Sequence, residues 1–288
     1  MNRAMPIPNV TALVVRCWAS AEAQAREALE KCFHDANEEF ISELFHGYFR
    51  VALDTASKAG LVEQAFCEDL SLHLPDLRYS NDLKRLASGI SATVTLHPRE
   101  VEKRTGGDLG LVLIRPNVSH HSFRKGTLTV DKDYGRGLLC QAKIKRRINA
   151  SGKSLWGSFT RNQRDILHNR MDYLALLLYE YMDEERRALN HFQWQVCAGH
   201  NFKDVEGWLK SGVFPRLTGS QTIIQQLADS KIGTNKTEII KEIIAPVVRS
   251  SLVIRVEWPP GQGPSPNFVL QRNVYQKQSE LKHQNLRH

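Results

Sequence analysis

The sequence predicts an α/β fold: a central mixed β-sheet flanked by helices, followed by a mostly helical C-terminal appendage. Three observations predict it. The N-terminal third repeats apolar residues at helical spacing. Three runs in the middle, SATVTL, LGLVLI and LLCQAKIK, read as strands bounded by Gly, Pro or charged segments. A Thr160–Gln163 capping pair then opens a further helix. The organisation expected is a core over residues 1–200 and an appendage over 201–288, packed on the core and ending in a basic tail.

In chain order, Ser20 suits the cap of a helix through AEAQAREALEKCF, because a hydroxyl there satisfies orphan backbone donors. Asp35, with Glu38 at the reciprocal spacing, starts a second helix that stops near Gly60. Ile41, Leu44, Phe45, Tyr48, Phe49 and Ala52 form its apolar stripe, and Glu39, Glu43, His46 and Arg50 read as its solvated face. Shorter helices are expected around Leu61–Cys67 and Asn81–Ala87. The three strands follow, with a minor one near Thr127–Val130. In the last, Leu138, Cys140, Ala142 and Ile144 share one face, and Leu139, Gln141, Lys143 and Lys145 the other. The capping box leads into a long helix, roughly Arg161 to Leu189, with the apolar centre YLALLLYEY. FQWQVCA reads as a fourth strand. The appendage offers helices near Val205–Ser211, Ser220–Ser230 and Thr237–Ile244, then a strand LVIRVEW and a PPGQGPSP breaker.

Composition narrows the function classes. Hydrophobic residues are 41% and charged residues 24% of 288, ordinary for a globular chain. No apolar run approaches the ~18–20 residues that span a bilayer, so no membrane role is expected. The five cysteines (17, 32, 67, 140, 197) form no CxxC pair, which argues against a disulfide framework or thiolate zinc site and for a reducing cytoplasm. Lys plus Arg is 39 against 31 acidic residues, and the net charge of +8 favours a polyanionic partner such as nucleic acid.

Cleavage of a phosphodiester with a metal needs hard oxygen ligands, a cation near the developing charge and basic residues to steer the backbone. Asp108, at the mouth of the second strand, supplies a carboxylate. Gln141 and the backbone carbonyl of Ala142 supply neutral oxygens, Lys143 supplies the cation, and Glu38 stands on the preceding helix. Arg146, Arg147, Lys153, Arg161, Gln163 and Arg164 form a polar, mostly basic approach for a phosphate backbone. Other chemistries lack support. His97, His120, His121 and Cys140 have no compact zinc spacing. There is neither a GxSxG elbow nor a GxxxxGK[ST] phosphate loop. Trp156, Trp194, Trp208 and Trp258 suit base stacking or plain packing.

The order of a helix Glu in NEEFIS, an Asp opening a strand in GGDLGLVL, and a Q-x-K step in LLCQAKIK resembles the PD-(D/E)xK nuclease superfamily, in a variant with glutamine in the third motif. TRNQRDIL resembles the segment after that core. The resemblance covers about residues 35–200. It implies a restriction-endonuclease-like core and Mg²⁺-dependent hydrolysis of DNA, with Mn²⁺ able to substitute and RNA a further substrate class. Glu38, Asp108, Gln141 and Lys143 become the catalytic set, and Glu38, Asp108, Gln141 and the Ala142 carbonyl the metal ligands. It further implies assembly as a homo-oligomer or complex subunit. An effector in antiviral defence or repair, served by a partner ATPase or sensor, is one setting. The neutral Gln141 leaves a second reading open, a lapsed nuclease fold that binds nucleic acid or a partner protein.

Overall fold

The computed structural model describes residues 9–32, 38–73, 81–96, 109–114, 117–119, 127–131, 135–147, 154–180, 192–244, 251–257 and 267–269. Its helical layer begins with α1 (Asn9–Cys32), so Ser20 lies inside the helix and not at its cap. The buried stripe Val10, Leu13, Val14, Cys17, Trp18, Ala21, Ala25 and Leu29 explains the correction. One helical period runs unbroken through the segment on both sides of Ser20, and burial of that whole face outweighs a local cap. The N-terminus is capped instead from another helix. The Asp69 carboxylate accepts from the backbone N–H of Asn9 and, at 3.1 Å, of Val10.

α2 (Glu38–Lys58), α3 (Leu61–His73) and α4 (Asn81–Ala87) complete the layer. Ile41, Phe45, Phe49, Leu53 and Ala56 are buried along α2, as its apolar period predicts. Gly60, at φ +72°, turns the chain into α3. His46 departs from expectation: it is 2% exposed, not on a solvated face. α1 and the sheet both cover α2, so the buried arc widens past the strict aliphatic stripe and takes in His46.

The sheet contains β1 (Ser91–Leu96), β2 (Leu109–Ile114), β5 (Gly135–Arg147), β6 (Ser154–Trp156), β7 (Leu174–Tyr179), β8 (Gln193–Val196), β9 (Thr218–Gly219) and β10 (Ser251–Glu257). Among the described residues its order is β1-β10-β2-β5-β7-β8-β9, with β6 paired to β5. β3 (Asn117–Ser119), β4 (Thr127–Asp131) and β11 (Asn267–Val269) form a separate small sheet. The architecture is therefore mixed α/β, a sheet flanked by helices.

Two findings reshape the expected topology. The predicted long helix from Arg161 is only α5 (Arg161–Leu167), continued by a 3₁₀ segment His168–Tyr173. LALLLY is then the buried strand β7, parallel to β5. A strand covered on both faces reads as a continuous apolar run, and periodicity alone does not separate that from a buried helix. Residues 181–189 of that expected helix lie outside the described residues. Second, β10 from the C-terminal segment lies between β1 and β2, antiparallel to one and parallel to the other. α6 (Phe202–Ser211), α7 (Ser220–Ala228) and α8 (Thr237–Ile244) fall close to their expected places.

The turn after α7 docks on β5. Gly137 and Thr234 exchange two backbone hydrogen bonds of 2.8 Å, and the Arg136 guanidinium donates to the Ser230 and Gly233 carbonyls. Gly233 has φ +73°, and a Cβ there would stand 2.6 Å from the Gly137 carbonyl oxygen. The approach is close enough that only glycine fits.

Candidate site on the central strand

β5 is held on both edges. β2 runs antiparallel to it in the register Leu109↔Cys140 to Ile114↔Gly135, and β7 runs parallel from Leu139↔Leu174 to Ile144↔Tyr179. The alternation of a strand then separates its side chains into two compartments. Leu138, Cys140, Ala142 and Ile144 join the core made with α1 and α2. Leu139 joins the second core with Trp156, Phe159, Leu176, Leu178 and Phe202.

Gln141 and Lys143 occupy that second side. Gln141 is 1% exposed and its Nε2 donates to the Ala142 carbonyl at 3.4 Å. Lys143 is 5% exposed, with Nζ 5.0 Å from the centre of the Phe159 ring. Phe159 packs in turn on Phe202, ring centres 4.9 Å apart. A lysine so far from water is costly unless an ion partner or aromatic face compensates, and a cation over a ring recovers roughly 0.5–2 kcal/mol. Lys145, one pleat further along the same face, forms an ion pair with Glu180.

The rest of the expected set is distributed unevenly. Asp108 lies outside the described residues. Its peptide bond leads to Leu109, whose partner Cys140 is adjacent to Gln141. Glu38 is the first residue of α2, and its side chain is outside the described residues. α2 itself packs on the Ala142 side: Ser42 and Tyr179 share a 2.7 Å hydroxyl hydrogen bond, and Phe45 sits in that core. The helix and the Gln141–Lys143 pair are thus on opposite sides of the sheet.

Among the basic residues, Arg161 and Arg164 are exposed on α5, and Arg164 Nε lies 2.6 Å from Glu206 Oε1. Gln163 closes the expected capping box: its Oε1 accepts from Thr160 N–H at 3.0 Å, and its own N–H donates to Thr160 Oγ1 at 3.2 Å. That oxygen is committed to the helix start. Arg146 and Arg147 pair through their backbones with Leu155 and Ser154, and their side chains, like all of Lys153, lie outside the described residues. His97, His120 and His121 are also outside, while Cys140 faces the α1–α2 core. Trp194 and Trp156 are buried packing, and Trp208 is half-buried against His200, ring centres 4.8 Å apart.

Three features escaped the sequence. Phe159 precedes the N-cap Thr160, the position of a hydrophobic staple, yet its ring covers Lys143. His46 is fully enclosed, and burial pushes its pKa down to about 4, so it is neutral at pH 7. Glu22 joins α1 to α7. Its carboxylate accepts from Trp18 Nε1 at 2.9 Å and from the Ser220 hydroxyl, which itself accepts from Trp194 Nε1 at 2.8 Å. Burial raises the Glu22 pKa, and these hydrogen bonds oppose the rise. The only signal for this network was a Glu beside Trp18 in helical spacing.

No family model, curated protein or solved structure matches the chain. Among the described residues, no group of three or more His, Cys, Asp or Glu side chains could hold a metal. The oxygen donors on β5, the Gln141 amide and the Ala142 carbonyl, fit a hard divalent ion in kind but bring no charge. A carboxylate is needed to complete them, and Asp108 is the nearest one in the sequence to Leu109. No helix among the described residues is long and apolar enough to cross a membrane.

Proposed function

We propose that the chain is a Mg²⁺-dependent deoxyribonuclease of PD-(D/E)xK type, with Asp108, Gln141 and Lys143 at its centre. The observation that carries this reading is the pairing of Gln141 and Lys143 on one face of the central strand, beside an antiparallel β2 whose first described residue follows Asp108. The helix α5 and parallel strand β7 that follow support a nuclease-like core around it. Asp108, Gln141 and the Ala142 carbonyl would hold the ion, with Mn²⁺ able to replace it and Glu38 as a further ligand. When bound, such an ion polarises the phosphate and lowers the pKa of a coordinated water. Lys143 contributes a positive charge toward the developing negative charge. Arg161 and its basic neighbours draw in the DNA backbone, an interaction that weakens steeply with salt.

A second reading is favoured by a specific observation. Lys143 is nearly solvent-free beneath Phe159, Gln141 is neutral, and α2 packs on the other side of the sheet. These suit a lapsed nuclease fold that grips nucleic acid or a partner protein without cutting. Plasmid cleavage with purified protein in Mg²⁺ separates the two. Under the first reading the wild type nicks DNA and Lys143→Ala is slower by about 10²–10³-fold, the scale for losing one preorganised stabilising group. Equal rates from both proteins would remove Lys143 from the chemistry. Absence of cleavage together with salt-sensitive DNA binding would leave the binder. A defence or repair effector working with a separate ATPase or sensor, as a homo-oligomer or complex subunit, extends the first reading. Activation of cleavage by a co-encoded ATPase checks it.

A further inference from the structure

A group that stabilises charge on a phosphate has to reach it, and Lys143 is only 5% exposed beneath Phe159. The ring of Phe159 is 4% exposed and braced by Phe202 at the start of α6. Its backbone is pinned on both sides. Gly157 N–H donates to the Ile144 carbonyl at 3.3 Å, and Thr160 is locked in the α5 capping box. Only Ser158, which is exposed, separates Gly157 from Phe159. With so short a tether, uncovering Lys143 does not require a loop to lift; rotation of the Phe159 side chain between staggered wells is enough.

We propose that Phe159 is a rotamer gate that holds the candidate site closed at rest, so that Lys143 is offered to a phosphate only after the ring turns away from it and from Phe202. The gate is a regulatory feature of the nuclease reading and rests on it. The ion pair of Lys145 with Glu180 fits the same picture, because it keeps the neighbouring lysine from taking the place of Lys143 on that face. In the closed state the cation–ring contact stabilises the resting enzyme. Competition from a phosphate is the stronger interaction for an ammonium and supplies the bias toward opening.

The test uses the full chain and a short pulse of an amine-acetylating reagent, with Lys143 read by mass spectrometry against the exposed Lys203 and Lys210. In the wild type Lys143 is expected to react at least about tenfold more slowly than they do, since only the open fraction is reactive. Phe159→Ala should erase most of that gap. Phe202→Ala, which removes the brace and leaves the ring, should erase part of it. Plasmid cleavage by Phe159→Ala should rise as the open fraction rises. Unchanged protection in both variants, or a wild-type Lys143 as reactive as Lys203, overturns the gate. If Phe159→Ala does not fold, Phe159→Leu and Phe202→Ala carry the comparison, and protection equal to wild type in both likewise overturns it. Labelling needs no turnover, so a chain that labels as expected but never cuts keeps the cover over Lys143 and loses the nuclease reading instead.

Discussion

The two faces of β5 lie one residue apart in the chain and do different work. On one, Cys140, Ala142 and Ile144 pack against the aromatic cluster of α1 and α2, where Trp18, Phe45, Phe49 and Phe192 have ring centres 4.5–6.0 Å apart. On the other, Gln141 and Lys143 spend buried positions on polar groups. Replacing a buried charged group with an apolar one of similar volume is often neutral or stabilising, so stability does not explain the second face. The difference teaches where to look for function: the first face holds the sheet, and the second tolerates a cost that a purely structural strand would avoid.

That contrast can be broken by mutation, beginning with the largest effect. Phe45→Ala removes a ring from the centre of the first face and is expected to cost about 3–5 kcal/mol, read as a shift of the urea midpoint. A cost below about 1 kcal/mol would mean the aromatic cluster does not anchor the sheet. Gly233→Ala forces a Cβ against the Gly137 carbonyl at positive φ. It should cost about 2–3 kcal/mol through backbone strain and displacement of the docked turn.

His46 gives a pH signature to the first face. Its folded pKa, about 4, lies below the ordinary histidine value of 6.5, so the unfolded chain binds the proton more tightly. Stability from this group is therefore complete above pH 6.5 and is lost as pH falls from there toward 4, by on the order of 3 kcal/mol. Urea unfolding of wild type and His46→Leu across that window checks it, and the variant should show the shallower dependence. The smallest effect belongs to the second face. Lys143→Met should change stability by no more than about 1 kcal/mol, because relief of desolvation offsets the lost contact with Phe159. A loss of several kcal/mol would make Lys143 a structural cation and weaken the case that its burial serves chemistry.

Most helices and strands were legible because their burial follows a single period. The stripe of α2, the alternation of β5 and the Thr160–Gln163 box all express local rules, and each lies in the structure near its expected place. β7 was not legible, because a strand buried on both faces carries no alternation. Nor was the first half of α1, where one apolar run resembled a short isolated piece. Of the candidate site, the sequence identified Gln141 and Lys143 as neighbours on one strand face. It did not indicate that Phe159 covers Lys143, that α2 packs on the opposite side, or that Gln163 is occupied by its own helix cap.

By itself, then, the sequence determined what nearest neighbours along the chain decide: periodic faces, caps, breakers, and the placing of a glutamine and a lysine two residues apart on one strand. Tertiary structure decided what depends on distant segments meeting. It placed β10 between β1 and β2, turned LALLLY into a central strand, enclosed His46, and closed Phe159 over Lys143. The physical reason is that burial is a property of everything packed around a residue, and no local pattern encodes which remote surface will arrive there.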